Sequence, residues 1–222
     1  MALEKIRLKH GSPEWQAFRK TGIGASEAAA AIGQSKFRTN IELWEEKVGL
    51  RQPKDLSDNP RVHYGAEAEK YLVGLFRLQY ADRYKVKVDK RTVYLRDGFQ
   101  FASLDGELID LTTREAGVWE GKTVLADNSL VWEEWKDQMP QDYYAQILHQ
   151  LLVTERKFCV INPEFRWLDM ETNEIRTSVR RMTIRATDKN IASDMKYLDE
   201  AEHEFWGYVT RRERPSLILP QF

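Results

Sequence analysis

Only one of the 222 residues is cysteine, so no internal disulfide can staple the fold. Twelve glycines and seven prolines are too few for a collagen-like or Pro/Gly-rich chain. No apolar run approaches the roughly 20 residues that a bilayer-spanning helix needs. The first ten residues are charged and lack an apolar centre, so no signal peptide and no membrane attachment are expected. Net charge is nearly absent as well, at −1, and only local charge can recruit a polyanion or polycation. What is present is 42 % hydrophobic and 11 % aromatic residues, which excludes a disordered chain. One domain over residues 1–222 with its own core is expected, in a reducing, cytoplasmic setting. The lone Cys159 lies in Phe158-Cys159-Val160-Ile161 and reads as a small buried hydrophobe of a strand.

Punctuation places the elements. Ser12-Pro13-Glu14 supplies an N-cap, a first-turn proline and a dipole-matched acid for a helix through Trp15, Phe18 and Arg19. Gly22 to Ala25 predicts a turn, after which Ser26 caps a small-residue helix from Glu27 to Ile32. Thr39 and Glu42 form a capping box for Ile41 to Val48. Arg61 to Tyr80 carries a helix with Ala68, Leu72, Leu75 and Phe76 on one face. The period then becomes two, with Tyr84, Val86 and Val88 alternating with Lys85, Lys87 and Asp89. Asp97-Gly98 signals a hairpin. Phe99, Phe101, Ser103 and Asp105 share one face of the next strand, and Val118, Glu120 and Lys122 one face of a third. Pro140 starts a helix with Ile147, Leu148 and Leu151 on its apolar side and Tyr143, Gln146 and Gln150 on the other. Lys157 to Ile161 reads as a short strand, Phe165 to Arg185 as a hairpin, and Asp188 to Arg212 as a long helix. An apolar tail with Leu217, Ile218, Leu219 and Phe222 is expected to pack on a neighbour or partner. This order predicts an α/β (α+β) domain, a central mixed β-sheet flanked by helices.

The middle strands carry the chemistry. Glu120 and Lys122 are two apart and point to one face; with Asp105 they form two carboxylates and an ammonium. Paired carboxylates suit Mg²⁺, and a neighbouring lysine can position or deprotonate water or offset phosphate charge. The same residues equally describe a solvated strand face beside an Asp-Gly turn. Arg19 and Ser26 flank a Gly-rich turn at a helix start, an anion site or simply a cap beside a surface arginine. Glu69 is a third carboxylate for a metal or a solvent-facing glutamate. Gln146 holds a phosphate or water, or is ordinary helix polarity. Residues 77–96 carry seven Lys/Arg, Lys85 and Lys87 among them, against two Asp. That is either a phosphate-binding stripe or an edge strand blunted by lysines.

Taken in order, Phe18 to Glu27 with its Gly-Ile-Gly-Ala-Ser core, Tyr64-Gly65 through Glu69, Leu104-Asp105-Gly106, Trp119-Glu120-Gly121-Lys122 and Tyr144-Ala145-Gln146 resemble the YqaJ/lambda-exonuclease family. That family belongs to the PD-(D/E)xK nuclease superfamily, with its restriction-endonuclease-like core. The resemblance covers roughly Trp15 to Leu152 of a single nuclease domain. It implies that Asp105, Glu120, the Gly121 carbonyl and Glu69 hold Mg²⁺, for which Mn²⁺ substitutes. Lys122 would activate the attacking water, Gln146 would orient Lys122 or the scissile phosphate, and Arg19 and Ser26 would hold a 5′-terminal phosphate. The implied reaction is 5′→3′ digestion of one strand of linear double-stranded DNA to mononucleotides, leaving a 3′ overhang. A homotrimeric ring, a single-strand annealing protein as partner, and a phage or prophage origin in a bacterial host follow from the same resemblance. Leu104 stands where the family often has Pro, Asp97 matches an extra upstream acid only loosely, and Gln150 stands where the superfamily often has Tyr. An endonuclease of the same superfamily, or a non-catalytic DNA-binding protein, would keep the same fold.

Overall fold

Local signals set the first elements. In the computed structural model, which describes residues 3–136 and 138–219, strand β1 (Glu4–Arg7) leads into helix α1 (Pro13–Arg19), whose N-cap Ser12 accepts from the Trp15 N–H. The turn expected at Gly22 to Ala25 is instead a short strand, β2 (Ile23–Gly24). Ser26 lies inside a 3-10 turn, Ala25–Glu27, and caps no helix; α2 is only Ala28–Ala31. Glu27 folds back on this turn, its carboxylate accepting from the Gly24 N–H at 2.9 Å. Helix α3 (Asn40–Lys47) has the expected Thr39–Glu42 box, and α4 is Pro60–Gln79. Leu75 of α4 faces water, and Val73 joins Leu72 and Phe76 inside.

The strands β3 (Tyr84–Lys87), β4 (Thr92–Arg96), β5 (Gln100–Ala102), β6 (Gly106–Asp110), β7 (Ala116–Leu125), β8 (Phe158–Asp169), β9 (Glu174–Val179) and β10 (Met182–Arg185) fill two mixed sheets. The smaller has the order β1-β4-β5-β2. The larger runs β10-β8-β7-β6-β3, with β9 also paired to β8. The β7–β8 and β2–β5 pairs are parallel. With α5 (Ser129–Glu134), α6 (Gln141–Thr154) and α7 (Lys189–Arg211), this is the mixed α/β architecture expected, its strands divided over two sheets.

That division corrects one strand. Phe99 to Asp105 is not continuous: β5 ends at Ala102, and residues 103–105 cross from the small sheet to the large one, where β6 begins. Asp105 therefore sits at a crossing and does not share a strand face with Phe101. The connection 88–91 between β3 and β4 is another crossing. The short strand expected at Lys157 to Ile161 is longer, running through Pro163 to Asp169. Pro163 is tolerated because β10 pairs only up to Ile161 and β9 only from Glu164, so no outer partner asks for its missing N–H.

Helices α4 and α6 cover opposite faces of the large sheet. Phe76 and Val73 of α4 pack with Trp119, Leu108 and Val160. Ile147 and Leu151 of α6 pack with Val118, Val124 and Ile161. The far side of α6 is buried too, with Ala145 and Leu148 against Ala28, Ala29 and Leu198. A helix apolar on both sides belongs in the interior. The alanines of α2 let it lie close. His149 ties α6 to its surroundings with no exposure at all. Its Nδ1 meets Glu202 of α7 at 2.7 Å and its Nε2 the Phe101 carbonyl at 3.0 Å.

Cys159 is buried in β8, and burial pushes its thiol pKa well up, as a packing residue requires. The C-terminal segment docks on its own chain through its backbone and Ile218, while the Leu217 and Leu219 side chains stay exposed. Asn40 donates to the Ser216 carbonyl at 2.8 Å and accepts from the Ile218 N–H at 3.1 Å, and the Ile218 side chain covers Gly33. Phe222 lies outside the described residues. No helix among the described residues is long and apolar enough to cross a membrane.

Candidate active site

β7 brings the chemistry to one place because alternate residues share a face. Glu120 and Lys122 point toward α6, and their side chains pair at 2.7 Å. Gln146 of α6 bridges them: its Nε2 donates to Glu120 Oε1 at 2.7 Å, and its Oε1 accepts from Lys122 Nζ at 3.0 Å. One helical turn on, Gln150 Nε2 donates to Glu120 Oε2 at 2.8 Å. Glu120 is thus gripped at both oxygens while only 1 % exposed. Gln150, read from sequence as part of a polar side, is buried, and its Oε1 is the one buried side-chain polar atom without a partner among the described residues. The signal for it was present: four residues separate it from Gln146, which is one turn of one face.

Asp105 arrives from the crossing. Its Oδ2 accepts from the Gly121 N–H at 3.2 Å, so the end of β6 and the middle of β7 are joined there. In a strand the N–H and C=O of one residue point the same way, which puts the Gly121 carbonyl on the Asp105 side, past the Gly106↔Trp119 pair that ends the β6 ladder. No side chain fits at 121, because a Cβ would run into the Trp119 indole at 2.8 Å. Glu69 of α4 joins through Lys90, whose ammonium hydrogen-bonds Glu69 and lies 3.3 Å from Asp105 Oδ1. Lys90 was read only as one charge of a basic stretch. Its role depends on the crossing at 88–91, which no local signal gives.

Charge sets the titration of these groups. Burial, then the Asp105 charge, push the Glu120 carboxyl above the usual carboxylate range, with Lys122 opposing. Glu69 is raised for the same two reasons. Burial alone would lower Lys122, but Glu120 and Asp105 outweigh it and hold it as an ammonium. Three carboxylates and a backbone carbonyl are hard oxygen donors of the kind Mg²⁺ or Mn²⁺ takes. The only trio among the described residues with donor atoms all within 4.8 Å is a different one, Asp97, Asp199 and His203. There Arg96 already engages Asp199 bidentately, at 2.8 and 3.1 Å.

A second cluster lies at Glu27, which is buried yet ionised. Arg19 reaches its Oε1 at 3.1 Å, Arg38 approaches the same atom at 3.5 Å, and Lys47 meets Oε2 at 2.6 Å. Burial would raise the Glu27 pKa, but these three cations, Lys47 foremost, and the Gly24 N–H hold it down to about 2. Arg19 is thus anchored at one edge while about a third of its side chain stays exposed. Ser26 is the exposed neighbour of Glu27. Arg38 and Lys47 escaped sequence reading, since each is far from Glu27 along the chain. His10, an exposed residue whose ring lies tilted 5.2 Å from that of Trp15, belongs to the same region. Burial, then Lys90 and Arg19, lower its pKa, with Asp105 opposing.

Lys85 and Lys87 are not drawn in. They lie exposed on β3, the edge of the large sheet, and Lys87 faces Glu107 across the ladder at 3.9 Å. No hydrogen bond or ion pair among the described residues joins either to the Glu120 cluster. Exposed lysines on an edge strand fit a lysine-blunted edge and a phosphate-binding stripe alike.

Residues 14–157 match the YqaJ-like viral recombinase domain. The uncharacterized protein YqaJ of Bacillus subtilis (strain 168) is 30 % identical over 156 residues, which cover 69 % of this chain and 43 % of that protein. The chain thus spans less than half the length of this curated relative. An alkaline exonuclease from Laribacter hongkongensis is similar in fold, with a TM-score of 0.58 at 18 % identity over 91 % of this chain and 97 % of the other. A phage-related exonuclease from Haemophilus somnus 129PT gives 0.53 at 12 % identity, over 86 % and 96 %. With nearly two thirds of its length matched, and with Asp105, Glu120, Lys122 and Gln146 all inside the matched span, the chain belongs to the YqaJ-like viral recombinase domain family.

Proposed function

We propose that the protein is a metal-dependent deoxyribonuclease that digests one strand of linear double-stranded DNA from a 5′-phosphorylated end. The observation that carries this reading is the Gln146 bridge between Glu120 and Lys122, set beside Asp105 on the Gly121 N–H. Asp105, Glu120, the Gly121 carbonyl and Glu69 would hold Mg²⁺, or Mn²⁺ in its stead, which makes water a better nucleophile and neutralises charge on phosphate. Lys122, kept as an ammonium by Glu120, hydrogen-bonds the attacking water and offsets charge on the scissile phosphate. Gln146 fixes the Lys122 ammonium against Glu120, and Gln150 locks the far oxygen of Glu120. Arg19, anchored by Glu27, and the Ser26 hydroxyl form the pocket for the 5′-terminal phosphate.

Digestion in the 5′→3′ direction then releases mononucleotides and leaves a 3′ overhang for strand annealing. The Laribacter hongkongensis enzyme has been solved with dAMP, a mononucleotide, which supports this product class. The family resemblance supports a homotrimeric ring and a single-strand annealing partner in phage-type recombination.

A digestion time course tests the reading. With Mg²⁺, a linear duplex bearing 5′-phosphates is consumed from its 5′ ends, and a relaxed closed circle is untouched. A linear duplex with 5′-hydroxyl ends is consumed more slowly, and Ser26→Ala narrows that difference. Nicking of the circle would make the protein an endonuclease instead, and survival of every substrate would make it a DNA-binding protein.

A further inference from the structure

The ammonium of Lys90 stands where two of the expected metal-binding carboxylates face each other. It hydrogen-bonds Glu69 of α4 and lies 3.3 Å from Asp105 Oδ1, so one cation joins two acids from different elements. The side chain is 48 % exposed and springs from the 88–91 crossing, which gives it a path to solvent. Lys122 differs: its side chain is 17 % exposed and is held by Glu120 and Gln146. An ammonium and a divalent ion cannot share one gap between two carboxylates, because each repels the other at short range.

We propose that Lys90 is the resident cation of the metal-free centre, occupying the gap between Glu69 and Asp105 and leaving it when a divalent ion binds. This rests on the metal-dependent reading given above. In the metal-free chain Lys90 offsets the mutual repulsion of the acids and keeps the centre assembled. On metal entry its ammonium is released toward solvent, to which its side chain is already half open. Lys90 is therefore a positioning residue that sets how tightly metal is held.

Mn²⁺ is the probe, and no catalysis is needed to read it. Free Mn²⁺ measured by electron paramagnetic resonance gives the affinity of native protein, Lys90→Met and Lys90→Arg. Lys90→Met is expected to bind about tenfold tighter, since a competing charge is removed, while Lys90→Arg stays near native. Amine acetylation followed by mass spectrometry tests the unmodified protein. Saturating Mn²⁺ should speed labelling of Lys90 severalfold and leave Lys85 and Lys87 unchanged. Equal affinities of native and Lys90→Met, or Lys90 labelling indifferent to Mn²⁺, overturn the proposal and leave the nuclease reading intact. A native protein that takes up no Mn²⁺ overturns both.

Discussion

Lys122→Ala is expected to lower the digestion rate of linear duplex DNA by roughly 10²–10⁴-fold, the usual worth of a positioned proton-transfer or charge-stabilising group. The loss falls on chemistry and not on folding. Glu120 keeps its hydrogen bonds from Gln146 and Gln150 when the lysine is gone. Its carboxyl is already pushed upward by burial, so it takes up a proton instead of staying as an unpaired buried charge. Thermal melting of the variant should therefore stay within a few degrees of native, by the stability scale of a chain this size. Initial rates on a 5′-phosphorylated linear duplex, with melting followed by circular dichroism, check both halves. Native-like digestion would remove Lys122 from the reaction. A collapse of the melting temperature would make the Glu120–Lys122 pair a structural one.

Glu27→Gln works in the opposite sense, on stability first. The native carboxylate sits among Lys47, Arg19 and Arg38, and the amide would leave Lys47 and Arg19 crowded without their counter-charge while Arg38 keeps Glu46. Breaking a buried pair from one side costs about 3–5 kcal/mol. For a chain of this length that is a melting temperature lower by roughly 10 °C. The pH dependence follows from the same group. The folded pKa of Glu27 is held near 2 against an ordinary 4.5, so its stabilisation is complete above about 4.5 and fades as the pH falls toward 2. About 3 kcal/mol is at stake over that window. The gap in melting temperature between native and Glu27→Gln should be full at pH 7 and should shrink as the pH is lowered through that range. A gap that stays constant with pH would show that lost packing, not lost charge, explains the variant. Because Glu27 also anchors Arg19, the variant should lose part of its preference for 5′-phosphorylated ends.

The sequence was most legible where a signal acts within a few residues. Ser12 with Pro13, the Thr39–Glu42 box and the Asp97-Gly98 turn each place an element because the groups that satisfy one another are neighbours. Glu120, Lys122 and Gln146 were legible for a related reason, strand and helix periods fixing which side chains face together. What escaped was decided across the fold. A strand drawn through Phe99 and Asp105 looks regular, yet the chain changes sheets between them. Pro163 seems to end a strand until its two outer partners are known to divide at that residue. Ser26 reads as a cap because serine commonly is one, but the chain makes a 3-10 turn there and Glu27 folds back onto the Gly24 N–H. Lys90, Arg38 and Lys47 are surface-like residues in sequence, and only the crossings and the α3 packing give them acidic partners.

The division into two sheets has a consequence of scale. The Glu27–Arg19 cluster is attached to the small sheet through Gly24 of β2, while Glu120 and Lys122 belong to the large one. Helix α6 bears on both, gripping Glu120 with its glutamines, resting on Ala28 and Ala29 through Ala145 and Leu148, and bonding the Phe101 carbonyl of β5 through His149. If one cluster seizes the end of a strand and the other cuts it, the span between them is a ruler whose length is set by how the sheets dock. Product size, read on a gel, then becomes a gauge of buried packing: a bulkier side chain at Ala29 would shift the cut from one nucleotide to a mixture without touching a catalytic group.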